Sequence, residues 1–351
     1  MSVVQSVTGP IESSELGVTL PHEHIITDAR PWWHAPAPDD TEGQRIARAP
    51  VSIELLGHLR YDPFVSLDNM LLADEEAAVE ELALYRGAGG RTILDMTTPG
   101  MGRDVGTLAR IARASGLQII CGTGYYLEKA HPPEVAAIDV SGIAEVIERD
   151  VSVGCDGSDV RAGVIGEIGV SADFTPTEEK VLRGAARAQV RTHVPLFIHL
   201  PGWERFGHRA LDVAESEGVP PASIVLCHMN PSLGDTAYQD SLAARGAWLE
   251  YDMIGMDFFY ADQTAQSPCD EENAIAIVRL LRSGFGGRLL LSSDTFLKIM
   301  LARYGGFGYA HVITRFAARL RRHGVREVEL ADFFINNPRR LFDVAAEEVH
   351  P

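Results

Sequence analysis

VPLFIHLPG (194–202) and SIVLCHMNP (223–231) are two short apolar runs, each closed by a histidine and a proline turn, with a helix-like stretch between them. Apolar runs of this length that alternate with helical periodicity make parallel strands joined by outer helices. Outward from this pair the pattern repeats. VTLPHEHII (18–26), RTILDMTT (91–98), LQIICGTGYY (117–126) and AGVIGEIGVS (162–171) precede it, and AWLEYDMIG (247–255) and RLLLSSDTF (288–296) follow. Between them lie DEEAAVEELALYRGAGG (74–90), which ends in glycines suited to a left-handed cap, and TPTEEKVLRGAARAQVRT (175–192). In the second, Thr175 can cap the helix, Pro176 suits its first position and Glu178 completes a capping box. Eight such units with no G-x-G-x-x-G after the first strand predict an α/β fold, a (β/α)8 TIM barrel, over an open doubly wound sheet. We expect a single domain over residues 1–351, with an elaborated first loop from about residue 29 to 66 covering the mouth of the barrel.

Composition agrees with a packed core: 46% of residues are hydrophobic and 23% charged. The 31 basic against 49 acidic residues give a net charge of −18, which repels nucleic acid and anionic membrane. The amino-terminal text has no basic start followed by an apolar core, and no apolar run approaches the roughly 18 residues that span a bilayer. A cytoplasmic location is therefore expected, and a homodimer is compatible with the sequence. Cys121, Cys155, Cys227 and Cys269 stand far apart, so neither a zinc knuckle nor a disulfide framework is signalled, and Cys121 and Cys227 lie in apolar runs as core fillers.

His22 and His24 alternate on the first strand, and a period of two turns both side chains to the same inward face. With 12 histidines in the chain, chance alone gives about 0.4 such pairs, so the motif needs company. Company stands at later strand ends: Glu167 in GEIG, His199 in FIHLPG, His228 in LCHMNP and Asp294 in SSDTF. Barrel strand ends converge on one face, where active sites form. A lone histidine or acid at a strand end is more often a satisfied core residue, but six ligand types at one face are hard to obtain by accident. Four imidazoles and two carboxylates fit two divalent ions, zinc first, with manganese, iron or cobalt also suited. The other histidines, at 34, 58, 131, 193, 208, 311, 323 and 350, sit in helical or loop text.

HEH on strand one, GEIG on strand four, IH on five, CH on six and SSD on eight, then RYGGFGYAH and NNPRRLF, together resemble the phosphotriesterase-related proteins of the amidohydrolase superfamily. The resemblance runs from GPIESSELG to NPRRLF. It implies a binuclear metal centre in a TIM barrel with a bridging hydroxide as nucleophile. Carried over, His22, His24 and Asp294 hold the buried ion, His199 and His228 the more exposed one, and Glu167 bridges both, with Asp294 as catalytic base. Similar enzymes that cleave phosphotriesters bridge with a carboxylated lysine on strand four. Here that position is glutamate, and the chain's lysines are only Lys129, Lys180 and Lys298.

Two departures bear on the substrate. Pro231 stands where similar phosphotriesterases and lactonases carry an aspartate, and Met253 follows Asp252 where similar lactonases carry arginine. Many relatives read SHD where this chain reads Ser293 beside Asp294. At the mouth, Tyr125, Tyr126, Trp203, Arg205, Phe259 and Lys298 offer a mixed aromatic and cationic lining, read either as contacts to a small acyl compound with an anionic end or as plain loop packing. Trp32 and Trp33 form either a lid or the core of the first loop. The expected activity is hydrolysis of a small carboxylic ester, lactone or amide by attack of the metal-bridging hydroxide on the carbonyl. A phosphotriester hydrolase is the alternative within the enzyme class, and a non-catalytic small-molecule binder the alternative outside it.

Overall fold

The computed structural model describes residues 2–261 and 263–347. All eight apolar runs fold as strands: β1 (Thr19–Glu23), β2 (Thr92–Asp95), β3 (Gln118–Thr123), β4 (Val164–Gly169), β5 (Leu196–His199), β6 (Ile224–Leu226), β7 (Trp248–Tyr251) and β8 (Leu289–Leu291). They form one sheet in chain order, every resolved pairing parallel. The seam between β8 and β1 is closed by Asp294 N donating to the His22 carbonyl (3.2 Å) and His24 N donating to the Thr295 carbonyl (3.3 Å). Glu23 strengthens it. Its carboxylate accepts from Ser292 Oγ (2.8 Å), Ser293 N (2.9 Å), Ser293 Oγ (2.7 Å) and Thr295 N (2.8 Å). The fold is thus the expected TIM barrel.

The barrel interior is filled, not hollow. Leu94, Ile120, Val164, Phe197, Val225 and Trp248, each fully or almost fully buried, meet inside it. Outside, the helix Pro176–Thr192 starts as its sequence dictates: Thr175 Oγ1 accepts from Glu178 N (3.2 Å), and Glu178 Oε2 accepts from Thr175 N (3.1 Å). The helix Glu75–Gly87 ends on Ala88 in a right-handed conformation, and the left-handed turn falls at Gly89 (φ 102°), one residue beyond the cap.

The first loop is a folded excursion whose ends pair antiparallel, Thr27 with Leu72 and Asp28 with Leu71. It carries two short helices, Thr41–Arg48 and Leu56–Tyr61. Its apolar residues Ile46, Leu55, Leu59 and Phe64 pack with Met253, Met256 and Ile299 from the carboxyl-end loops, which sets the loop over the mouth of the barrel. Trp33 braces it from within by donating from Nε1 to the Val65 carbonyl (2.9 Å). Among the described residues no helix is long and apolar enough to cross a membrane.

Candidate metal centre

The strand ends bring all six expected ligands together. His22 and His24 leave β1 on its inner face. His22 Nδ1 lies 3.0 Å from Glu250 Oε2, which leaves Nε2 facing Glu167 Oε2 at 3.6 Å and Asp294 Oδ1 at 3.8 Å. His24 Nδ1 pairs with Thr97 Oγ1 (2.9 Å), and its Nε2 lies 3.2 Å from Asp294 Oδ1 and 3.6 Å from Glu167 Oε1. Across the mouth, His228 Nδ1 faces Asp252 Oδ1 (3.0 Å), while its Nε2 lies 3.2 Å from Glu167 Oε2. His199 Nδ1 lies 3.0 Å from that same oxygen. Every imidazole but one therefore has its far nitrogen fixed within 3.0 Å by a carboxylate or hydroxyl, the arrangement that orients metal-binding histidines. For His199 the far nitrogen is 3.5 Å from the Tyr126 hydroxyl.

The donor set fits divalent ions. His22 Nε2 is buried with no hydrogen-bond partner. His199 Nδ1 and His228 Nε2 lie 2.7 Å apart, so the nitrogens expected to share an ion stand side by side. Donors around a tetrahedral ion with bonds of about 2.0–2.1 Å sit about 3.3 Å apart, close to the 3.2–3.8 Å found among His22, His24, Glu167 and Asp294. The six form three overlapping groups, His22, His24 and Glu167; His22, His228 and Asp294; and Glu167, His199 and His228; a fourth joins His22 to Cys227, Glu250 and Asp252.

The electrostatics favour positive charge. Burial works against protonation of His22, but Glu167 and Glu250 outweigh it and raise its pKa well above the ordinary value. His24 is likewise raised to about 9 by Asp294 and Glu167 against burial, and His228 to about 10 by Asp252 and Glu167. Burial opposes the charged form of Glu167 too, yet His22 and His199 hold it well below the usual carboxylate range. His199 is lowered, by burial and by the charge of His228. Backbone strain gathers here as well: His228 (φ 58°) and Asp294 (φ 45°) adopt the left-handed conformation, which non-glycine residues hold only where surrounding structure imposes it.

Above the six donors opens a cavity of about 140 Å³. Of the mouth residues expected from sequence, Tyr126 and Trp203 line it, and Tyr125, Arg205, Phe259 and Lys298 do not. Tyr125 and Tyr126 are successive and turn opposite ways, so Tyr125 is buried against the edge of His131. Arg205 is drawn outward to Asp235 Oδ2 (3.4 Å) and to loop carbonyls such as that of Trp203 (3.0 Å). Phe259 stacks on Tyr61 of the first loop, and Lys298 Nζ is held 2.6 Å from Asp68 Oδ1. Trp32 lines the cavity with its ring 5.2 Å from that of Tyr126, while Trp33 anchors the loop, so the two tryptophans divide the roles of wall and core. Met253, in the place of the arginine of similar lactonases, is buried and forms part of the wall.

Sequence reasoning missed Glu250, Asp252 and Thr97. Glu250 and Asp252 carried a signal: they alternate by two on strand seven, as His22 and His24 do on strand one. Cys227 is buried as expected, but it stands within the group formed by His22, Glu250 and Asp252.

A barrel of this order with histidines and acids converging at its carboxyl-end mouth is the architecture of a metal-dependent hydrolase. Residues 2–342 match the Phosphotriesterase family, and the chain belongs to that family of hydrolases. It is 34% identical over 340 residues to a protein of Salmo salar named N-acetyltaurine hydrolase, covering 96% of this chain and 97% of that one. A crystal structure of a resiniferatoxin-binding protein from Rhodobacter sphaeroides superposes with a TM-score of 0.96 at 52% identity, over 98% of this chain and 95% of that one. A lactonase from Listeria monocytogenes superposes with a TM-score of 0.76 at 25% identity, over 97% and 99%.

Proposed function

We propose that this chain uses two divalent ions, zinc first, to hydrolyse a carboxylic ester, lactone or amide bond of a small molecule. The observation that carries the reading is the meeting of six donors around Glu167 at the floor of an apolar cavity. His22, His24 and Asp294 would hold one ion, His199 and His228 the other, and Glu167 both. Such ions polarise a carbonyl and supply hydroxide near neutral pH. The chain's own residues do the rest. Asp294, at the cavity edge, accepts the proton of the nucleophile and passes it to the leaving group. The Tyr126 ring, 4.7 Å from that of His199 at its centre, walls the site against bulk water. Glu250 and Asp252 keep His22 and His228 in the tautomer that presents Nε2 to the site.

The test is metal reconstitution followed by a panel of aryl esters, lactones, N-acyl amino compounds including N-acetyltaurine, and a phosphotriester. Close to two ions per chain are expected, with faster cleavage of carbonyl compounds than of a paraoxon-type phosphotriester. Protein without transition metal, or a phosphotriester as the best substrate, would reverse the reading. A second reading, a binder without turnover, draws support from the binding protein named above at 52% identity. Tight binding across the panel with no product from metal-loaded protein would establish it.

Asp252 supplies a check on the tautomer argument. It accepts from both His228 Nδ1 (3.0 Å) and His228 N (2.9 Å). Asp252→Asn is expected to weaken metal affinity by about 10–100-fold, the usual effect of removing an outer partner of a ligand. The check is competition with a chelator, and an unchanged midpoint would remove Asp252 from the assembly.

A further inference from the structure

The wall of the cavity differs in character from its floor. Trp32, Phe64, Tyr126, Trp203, Tyr260 and Phe296 all contribute rings. These rings meet one another tilted or edge-on: Trp32 with Tyr126 at 5.2 Å, Trp203 with Tyr260 at 5.5 Å, Phe64 with Phe296 at 6.3 Å. Met101, Met253 and Met256 fill the gaps, and thioethers make favourable contacts with aromatic rings. An apolar cavity of about 150 Å³ accepts benzene, and this one measures about 140 Å³. A single aromatic ring is therefore of a size that this cavity takes.

Positive charge is missing from the same wall. Among the described residues no lysine or arginine lines the cavity. Of the cations within two residues of the lining, Arg30 is paired with Asp28, Arg103 with Asp150 and Asp156, Lys298 with Asp68 and Arg205 with Asp235, and Lys129 is exposed. The charge of the floor's carboxylates Glu167 and Asp294 is offset once divalent ions are bound there, so the wall decides how a substrate's tail is received. An anionic tail lying in this wall would exchange water for rings and thioethers with no cationic side chain beside it, which is unfavourable in an apolar setting.

We propose that the site selects an uncharged acyl compound bearing an aromatic ring, the ring held between Trp32, Phe64 and Phe296 while the carbonyl faces His199 and Asp294, and that it discriminates against acyl compounds ending in a sulfonate or carboxylate. The carbonyl's orientation rests on the hydrolase reading, whereas ring selection does not need turnover.

The experiment therefore measures binding. Zinc-loaded protein is titrated with two uncleavable ketones that differ in one group, 4-phenylbutan-2-one and 3-oxobutane-1-sulfonate, by calorimetry and by quenching of tryptophan fluorescence. The phenyl ketone is expected to bind at least about tenfold more tightly. Trp32→Ala should weaken it by about tenfold, the loss of one well-placed aromatic contact together with its buried area. Gln263→Arg, an exposed substitution at the cavity rim, should strengthen the sulfonate several-fold by placing a guanidinium there. Equal or tighter binding of the sulfonate by the unmodified protein overturns the proposal, as does a Trp32→Ala protein, folded by circular dichroism, that binds the phenyl ketone unchanged. Tight binding of the phenyl ketone with no hydrolysis of any carbonyl compound would leave ring selection standing and sink the hydrolase reading.

Discussion

Asp294→Asn is expected to lower the turnover of metal-loaded protein by roughly 10²–10⁴-fold, the worth of a positioned general base, with a much smaller loss of metal. The side chain stands where both proposed roles need it. Its Oδ1 lies 3.2 Å from His24 Nε2, among the donors, yet its side chain is 11% exposed where those of His22 and Glu167 are 0% and 5%. Asp294 thus stands among the candidate ligands and also meets the cavity. Asparagine keeps a carbonyl oxygen at the donor position but has no oxygen that accepts a proton at neutral pH. It also tolerates the left-handed backbone that Asp294 adopts, φ 45°, better than most residues. The barrel seam, where Asp294 N donates to the His22 carbonyl, is left in place. Metal content and turnover are measured on the same preparation, with the best substrate of the panel. Near wild-type turnover at full metal content would show that the proton goes elsewhere. Ser293→Ala behaves differently, because Ser293 Oγ donates to buried Glu23 at 2.7 Å. That variant should lose stability at the seam, seen as a lower Tm, while turnover per folded molecule changes far less.

The barrel and the meeting of its six candidate ligands were legible because one physical constraint serves both. A strand buried on two faces has to be an apolar run, so a histidine or acid closing such a run stands out, as His199 after LFI and His228 after Cys227 do. Parallel order then carries every such residue to one face. The wall of the cavity left no comparable mark. Met101, Met253 and Phe64 sit in loops and face a cavity, but an apolar loop residue that packs on another loop has the same appearance in sequence. Arg205 and Lys298 misled for the opposite reason. A cation beside the mouth looks like an anion contact until its own partner, Asp235 or Asp68, is seen to come from a different loop. Glu250 could have been read: it is an acid inside an apolar strand, two residues before Asp252, and a buried carboxylate needs a partner. Its partner, His22 on the first strand, is 228 residues away in sequence, and only the closed sheet brings them within 3.0 Å.

Glu167→Ala is expected to weaken metal binding by more than about 100-fold, beyond the 10–100-fold that an outer partner of a ligand contributes, and to leave the purified protein with little metal. The reason is that one carboxylate faces all four imidazoles. Its Oε2 lies 3.0 Å from His199 Nδ1, 3.2 Å from His228 Nε2 and 3.6 Å from His22 Nε2, and its Oε1 lies 3.6 Å from His24 Nε2. Removing it deletes a donor from two of the three groups that the six form and leaves Asp294 as the only carboxylate among the remaining five. The chain has no substitute at hand, since its three lysines stand at 129, 180 and 298, none of them on β4. Glu167→Gln separates shape from charge: it fills the same space with a neutral amide, so a loss of metal as deep as in the alanine variant assigns the effect to charge. Both proteins are dialysed against buffered zinc, then compared by metal analysis and by thermal melting to establish that they are folded. A folded Glu167→Ala protein that keeps two ions per chain would show that the ions are held without a bridging carboxylate, and the division of ligands between them would have to be drawn again from His22, His24, His199, His228 and Asp294 alone.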